Sequence, residues 1–474
     1  MNYEAVIGLE IHVEMNTKTN MFSSAPVTYG ELPNSSTSPV CFAFPGTLPT
    51  VNKQAVINAI RVSNALHMSI DRTLHFDRKN YFYSDLPKGF QITQNERPIG
   101  FEGYMDIETS LGTKRIGIER LHLEEDTAKQ LHSWDCTLLD YNRAGIPLIE
   151  IVSKPEIRTG EEAAKYVEKI RSIVSFLDVS DGRMEEGSLR CDVNISIRPV
   201  GSTKFGTKVE IKNLNSISNV QKSIEFEVKR QALLLQEGKE VIQETRRFDE
   251  ATKETVLMRV KTEAADYKYF PEPNITPINL SEEFIANAIE TSPELAESKL
   301  IRYKELGLSD YDANLLIADK DISVYYDSAL KAGGSPKLLA NWVIGDIQAI
   351  LNKNNIHISE FKISPNHLSE LVLLVEEGKV SNKQAREIFQ EMLNSGSSPK
   401  ELVKKMGATQ ISDEGAIMTL INEVIDANPQ SVIDFKNGKD RAVGFLVGQV
   451  MKKSQGKVNP AITNKLIVEE LKRR

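Results

Sequence analysis

Glu10, His12 and Glu14 take every second position at the end of the opening segment MNYEAVIGLEIHVE and face opposite to Tyr3, Ala5, Ile7, Leu9, Ile11 and Val13. That alternation predicts a strand with one apolar face and one face able to hold a metal ion or move a proton. Side chains two apart on a strand lie roughly 6.5 Å from each other on one side, close enough for a carboxylate and an imidazole to share one ion. A half-exposed edge strand whose polar face meets only water is the competing reading of this segment taken alone.

Further segments carry groups of the same kind. RKNYFYSDLPKGFQITQ gathers Arg78, Lys79, Tyr81, Tyr83 and Lys88 around Pro87 and Gly89, a shaped loop whose cations and phenols suit phosphate oxygens. LHLEED places Glu124, Glu125 and Asp126 just after His122. Two carboxylates about 4 Å apart repel by roughly 4 kcal/mol at an effective dielectric near 20, and a divalent cation removes that cost. Acid-rich sites with few nitrogens favour Mg²⁺ over zinc. Glu150 in PLIEIVS is a lone carboxylate in an apolar run, so it needs a partner, a metal or a raised pKa. GSTKFGTK (201–208) has P-loop spacing but ends Thr-Lys and sits in a predicted hairpin with no helix after it, which argues against that role. Neither an HExxH nor a GxSxG motif is present, and there is no glycine-serine signature of an amidase nucleophile.

The elements that must position these groups change character along the chain. To about residue 290 the sequence reads as strand-rich with long connections. SLRCDVNISIRP and TKVEIKN alternate like the first strand, carry Asp192 and Glu210 on their polar sides, and flank the turn-rich PVGSTKFG, which predicts an antiparallel hairpin. Helix signals follow: Ser292-Pro293-Glu294, Ser364-Pro365 with Gly378 behind it, and the capping box Ser381 to Gln384. Amphipathic segments continue around 402–406 and 417–425, so the predicted fold class is α+β. At 474 residues the chain is too long for one core. No apolar run approaches the roughly 20 residues of a membrane span, the first residues do not read as a signal peptide, and Cys41, Cys136 and Cys191 form no CxxC pair. These features predict a cytoplasmic protein. Net charge is −8, but residues 436–474 hold ten Lys or Arg against three Asp or Glu, a local charge of +7. Lys452, Lys453 and Lys457 in that tail suit nucleic-acid phosphates, with duplex or tRNA shape a better match than single strands. The residues alone point to a Mg²⁺-dependent phosphoryl-transfer enzyme with a nucleic-acid-binding tail. The alternative is a non-catalytic RNA-binding scaffold subunit, and Mg²⁺-dependent ATP consumption stimulated by RNA separates the two.

VIGLEIHVE, FPGTLPTVN, RKNYFYSDLPKGFQITQ, LHLEEDTAK, PLIEIVS, MEEGSLRCDVNIS, KNLNS, ETRRFDE, DYKYFPEP and the terminal GFLVGQVMKKSQGKVNP together resemble the B subunits of tRNA-dependent amidotransferases (GatB of GatCAB), in order and along the whole chain. The resemblance implies an antiparallel-sheet cradle catalytic domain (1–292), an all-α helical domain (293–405) and a small YqeY-like helical tail (406–474) that reads the outer corner of tRNA. It implies ATP and Mg²⁺ as cofactors. The GatA glutaminase, GatC and misacylated tRNA(Gln) or tRNA(Asn) are the implied partners, in a heterotrimer without a membrane role. In that family the side-chain carboxylate of misacylated Glu or Asp becomes an acyl phosphate, and ammonia from glutamine displaces the phosphate. Glu10, His12, Glu125 and Glu150 are then expected around the metal, with Asp192 and Glu210 on the same floor. Lys79, Tyr81 and Lys88 are expected at nucleotide phosphates or the acceptor end. Many relatives hold a structural zinc with two cysteine pairs near the positions of Cys41 and His75; only Cys41 stands here, so no zinc is expected on elemental analysis. Ser84 replaces the proline usual in that family's YFYPD motif.

Overall fold

The computed structural model describes residues 3–260, 266–406, 414–436, 441–454, 458 and 460–474. The chain divides into two compact units, Met1–Leu295 and Ala296–Arg474, and the architecture is α+β.

A nine-stranded sheet organises the first unit. Its strands are β1 (Tyr3–Glu14), β2 (Ser69–Ile70), β3 (Gly100–Thr109), β4 (Gly112–Glu125), β5 (Pro147–Ser153), β6 (Leu189–Pro199), β7 (Val209–Leu214), β8 (Glu244–Asp249) and β9 (Glu254–Val260). They lie in the order β9-β8-β7-β6-β1-β5-β4-β3-β2. Every neighbouring pair is antiparallel except β7 with β8. The first strand is therefore central, not an edge. Strand alternation sorts its side chains: Ala5, Ile7, Leu9, Ile11 and Val13 are buried in the core with Leu121, Leu123, Ile149, Ile151, Val193 and Ile211.

Helices cover that apolar face. The expectation of strands with long connections overlooked α1 (Lys53–Ala65), α2 (Gly160–Phe176) and α3 (Ile217–Gln236). Their start signals are present in the sequence: Asn52, Thr159 and Ser216 each cap a helix, accepting bonds from backbone N–H groups two or three residues on. Val56, Ile60, Tyr166, Ile170, Val220 and Ile224 carry the burial on these helices. With the apolar face covered, the opposite face of the sheet is left to polar side chains.

The second unit is helical and holds two hydrophobic clusters, one spanning Tyr303 to Val403 and one spanning Ile417 to Leu471. Ser364 caps Pro365–Glu376, and Ser381 with Gln384 forms the capping box of Asn382–Ser395, as the sequence signals require. Ser292-Pro293 does not start a helix. The N–H of Ser292 closes the end of α4 (Glu282–Glu290) by bonding Ile289 O at 3.1 Å, and the next helix begins at Ala296. Between Ala296–Glu305 and Lys320–Ala332 lies a charged knot. Asp327 bonds Lys299, Arg302 at 3.0 Å and the Tyr303 hydroxyl at 3.0 Å. Burial opposes its charge, yet Arg302 and Lys299 hold the Asp327 carboxyl below its usual range. Among the described residues, no helix is long and apolar enough to cross a membrane.

Asp327→Asn is expected to cost about 3 kcal/mol, because Lys299 keeps a buried charge without its counter-ion. Hydrogen exchange in Ala296–Glu305 and Lys320–Ala332 measures it. In the unsubstituted protein the stabilisation is fully present above the unfolded carboxylate value near 3.9 and is lost as pH falls below it.

Candidate functional site: an acidic floor on the open face of the sheet

Register brings the polar residues of five strands onto one surface. His12 on β1 is paired with Glu150 on β5 and with Arg190 on β6, and Glu150 is paired in turn with His122 on β4. This makes a straight row across four strands. One step along, Glu10 is paired with Asp192 on β6, and beyond it Asn194 on β6 with Glu210 on β7. Same-face neighbours in such rows stand close enough to interact directly.

Two groups of ligand-type atoms result, each within 4.8 Å of one another: His12 with Glu124 and Glu150, and Glu10 with Asp192 and Glu210. In the first, His12 Nε2 lies 3.2 Å from Glu150 and 3.7 Å from Glu124, and His122 Nε2 lies 3.6 and 3.5 Å from the same two carboxylates. The Nδ1 of His122 is buried without a hydrogen-bond partner among the described residues. In the second, Lys212 Nζ bonds Asp192 at 2.6 Å and Glu210 at 3.2 Å, Asn194 donates to Glu10 at 2.9 Å, and the Thr245 hydroxyl donates to Glu210 at 2.9 Å.

The electrostatics follow from this crowding. Burial pushes the Glu10 carboxyl up, and the charges of Glu150 and Asp192 add to it. Burial works against a charge on His12, but Glu150 and Glu124 prevail and push it up to about 9. Glu150, opposed by burial, is held well below the usual range by His122, His12 and Lys79. Lys79 is raised despite burial, chiefly by Glu124 and Glu150. Oxygen-rich donor sets with at most one imidazole match a hard divalent cation that keeps part of its water. The residues therefore fit Mg²⁺: His12, Glu124 and Glu150 would hold one ion, and Glu10, Asp192 and Glu210 a second.

Glu125 is the exception among the expected ligands. Leu121 and Leu123 point into the core, so His122 and Glu124 share the floor while Glu125 turns to the other side of β4. There it bonds Lys88 and accepts from the Ile92 N–H at 3.0 Å. The sequence analysis expected Glu125 around the metal, whereas the Leu-x-Leu phase puts Glu124 and not Glu125 on the floor. It also passed over His122 and Lys212. Lys88 is turned away from Lys79 and Tyr81: with Glu125 and Asp126 it lines a cavity of about 740 Å³. Behind that wall, Glu14 is pushed up to about 8 by burial and by Asp126. Asp126, opposed by burial, is held low by Arg190 and Arg143.

Cys41 is exposed and belongs to neither group; its Sγ lies 3.3 Å from Ser38 Oγ and 3.4 Å from Ser23 Oγ. A third group, His75, Asp77 and Glu96, lies outside the floor residues. In the second unit, Lys452 is exposed on the helix Arg441–Lys453, and Lys453 pairs with Glu423 at 2.6 Å. Lys457 lies outside the described residues.

Comparison with known sequences matches both units to one family. The GatB/GatE catalytic domain matches residues 5–286, and the GatB domain matches residues 324–471. The aspartyl/glutamyl-tRNA(Asn/Gln) amidotransferase B subunit of Staphylococcus carnosus is 50% identical over 475 residues, covering 100% of both chains. The proteins of that name from Bacillus cereus (strain AH187) and Brevibacillus brevis are each 49% identical, with 100% and 99% of both chains covered. The chain belongs to the family of aspartyl/glutamyl-tRNA(Asn/Gln) amidotransferase B subunits.

Replacing Glu124 by Gln is expected to weaken Mn²⁺ binding, read by electron paramagnetic resonance, at least tenfold. Glu125→Gln should leave that affinity within about twofold, because its carboxylate faces away from the floor.

Proposed function

We propose that this chain is the subunit of a tRNA-dependent amidotransferase that activates and amidates the aminoacyl group of Glu-tRNA(Gln), Asp-tRNA(Asn) or both. A side-chain carboxylate oxygen of the misacylated residue attacks the γ-phosphorus of ATP, and ADP leaves. Ammonia then attacks the acyl carbon, the carbon–oxygen bond to phosphate breaks, and the proton lost by nitrogen departs with inorganic phosphate. Such a transfer calls for positioning and charge neutralisation more than for a nucleophile from the protein.

The observation that carries this reading is the pairing of two carboxylate groups on one floor, with Lys79 beside one and Lys212 within the other. The chemistry that bound Mg²⁺ supplies here is charge neutralisation on the phosphates. Lys79 and Lys212 orient anionic oxygens, and His122 holds Glu124 and Glu150 in place. A cavity of about 310 Å³, lined by Gly8, Glu10, Asn194, Ser196, Phe205 and Lys208, is of a size for a nucleoside. It opens beside the Glu10 group, which supports ATP entering from that side. The rejected P-loop segment thus returns as a wall of this cavity. Gly206 is required there, since a Cβ would stand 2.2 Å from Ile197 O.

Ammonia is supplied by a glutaminase subunit, GatA, with GatC completing a heterotrimer in the cytoplasm. The 740 Å³ cavity supports an inlet: its inner wall carries Glu125 and Asp126, which directly follow Glu124 in the chain. Phe42 and Leu48, which line it, are exposed, and residues 32–36 and 139–142 are stitched together by Asn34 and Asn142. An apolar patch of that kind suits a companion subunit. Lys452 and the +7 tail support contact with tRNA phosphates. No zinc is expected at Cys41.

The test uses the chain assembled with its A and C partners. His12→Ala should abolish ATP-dependent amidation, by at least a hundredfold, while glutamine hydrolysis remains measurable; retained amidation overturns the assignment. Removing residues beyond about 405 should weaken tRNA binding at least tenfold and leave glutaminase turnover within about twofold.

A further inference from the structure

The segment DYKYFPEP reaches the edge of the acidic floor. Asn80, ending the strand Asp77–Asn80, donates its backbone N–H to Tyr267 O at 3.0 Å and its side chain to Lys268 O at 2.7 Å. The Tyr81 N–H donates to Gly89 O at 3.1 Å. These bonds fix two tyrosine-bearing segments side by side, and the rings meet edge to face. Centroids are 5.8 Å apart for Tyr81 and Tyr83, 6.1 Å for Tyr81 and Tyr267, and 6.0 Å for Tyr267 and Tyr269. Lys79 Nζ stands 5.0 Å from the Tyr267 ring centre and 6.0 Å from that of Tyr81. At the two ends of the row, Tyr83 is 56% and Tyr269 39% exposed. Arg259 Nη1 lies 3.3 Å from the Tyr83 hydroxyl.

This row borders the carboxylate group of His12, Glu124 and Glu150. Lys79 feels Glu124 and Glu150, and Tyr269 feels Lys79 and Glu150. The row therefore flanks the His12 side of the floor, whereas the nucleoside-sized cavity lies beside Glu10. Two substrates must meet over the floor. A free nucleotide suits the cavity, while the end of a macromolecule needs an open rim that it can enter from solvent. Tyrosine rings that open to solvent at Tyr83 and Tyr269, with Lys79 and Arg259 beside the row, are the chemistry that binds unpaired nucleotides, rings for bases and cations for phosphodiesters.

We propose that Tyr81, Tyr267 and Tyr269, with Lys79 and Arg259, receive the unpaired 3′-terminal nucleotide of the aminoacyl-RNA. The base stacks on the tyrosine rings and Arg259 meets the phosphodiester. The aminoacyl ester then extends from the terminal ribose past Lys79 to His12, Glu124 and Glu150. This rests on the amidation reading above and names the subsite that reading leaves open.

The test uses the assembled complex and Glu-tRNA carrying 2-aminopurine at its 3′-terminal position, whose fluorescence falls when the base stacks. The unsubstituted complex should quench it. Tyr267→Leu and Tyr269→Leu should each lose most of the quenching and raise KM for aminoacyl-tRNA about tenfold or more. KM for ATP and glutamine hydrolysis should stay within twofold, and Tyr267→Phe and Tyr269→Phe should restore both signals, which separates stacking from misfolding. Quenching retained in both leucine variants overturns the proposal. So does a rise in KM for ATP with that for aminoacyl-tRNA unmoved, which assigns the rings to the nucleotide instead. A complex that quenches but does not amidate refutes the amidation reading and leaves the receptor standing.

Discussion

Repulsion among Glu10, Glu124, Glu150, Asp192 and Glu210 on one sheet face is the constraint around which the first unit is arranged. Each close pair costs roughly 4 kcal/mol at an effective dielectric near 20, and a whole domain is stable by only about 5–15 kcal/mol. The floor persists because basic side chains are interleaved with the acids. His12 and His122 stand between Glu124 and Glu150, and Lys212 spans Asp192 and Glu210. Lys79 reaches the first group from the rim. The same cations suit anionic substrates, so what stabilises the fold and what prepares the site are one set of contacts.

The sheet can carry such a surface because its other face is apolar and covered by helices. β1 is the central strand, and its alternation sets both faces at once: Leu9, Ile11 and Val13 below, Glu10 and His12 above. β4 adds a second use of the same geometry. Glu124 and Glu125 are chain neighbours on opposite sides of the strand, one facing the floor and the other the large cavity. A single strand end thus carries one carboxylate to the floor and the next to the cavity.

Much of this was legible from period alone. The alternation of MNYEAVIGLEIHVE and of SLRCDVNISIRP identified the floor strands, and Ser364 and Ser381 marked their helices, because these signals are local. The choice between Glu124 and Glu125 was also local, but it depended on the phase of Leu121 and Leu123 relative to the core. Pairing was not legible: His12 meets Glu150 and His122 through strand neighbours more than a hundred residues distant, and only the sheet order makes them adjacent. Lys88 illustrates the same limit. Its loop carries Lys79 and Tyr81 as well, yet Pro87 and Gly89 turn it toward Glu125 on the far side. The helices α1 to α3 do not show in strand alternation, and their local signals are the caps Asn52, Thr159 and Ser216.

Transfer of the γ-phosphoryl group of ATP to an aminoacyl carboxylate on this floor is tested most directly with an isotope. The side-chain carboxylate of Glu-tRNA(Gln) is labelled with ¹⁸O, and the label is followed during amidation by the assembled complex. One ¹⁸O should appear in inorganic phosphate for each amide formed, because the carbon–oxygen bond breaks after phosphorylation. Phosphate carrying oxygen from water alone, with amide still produced, would contradict the account.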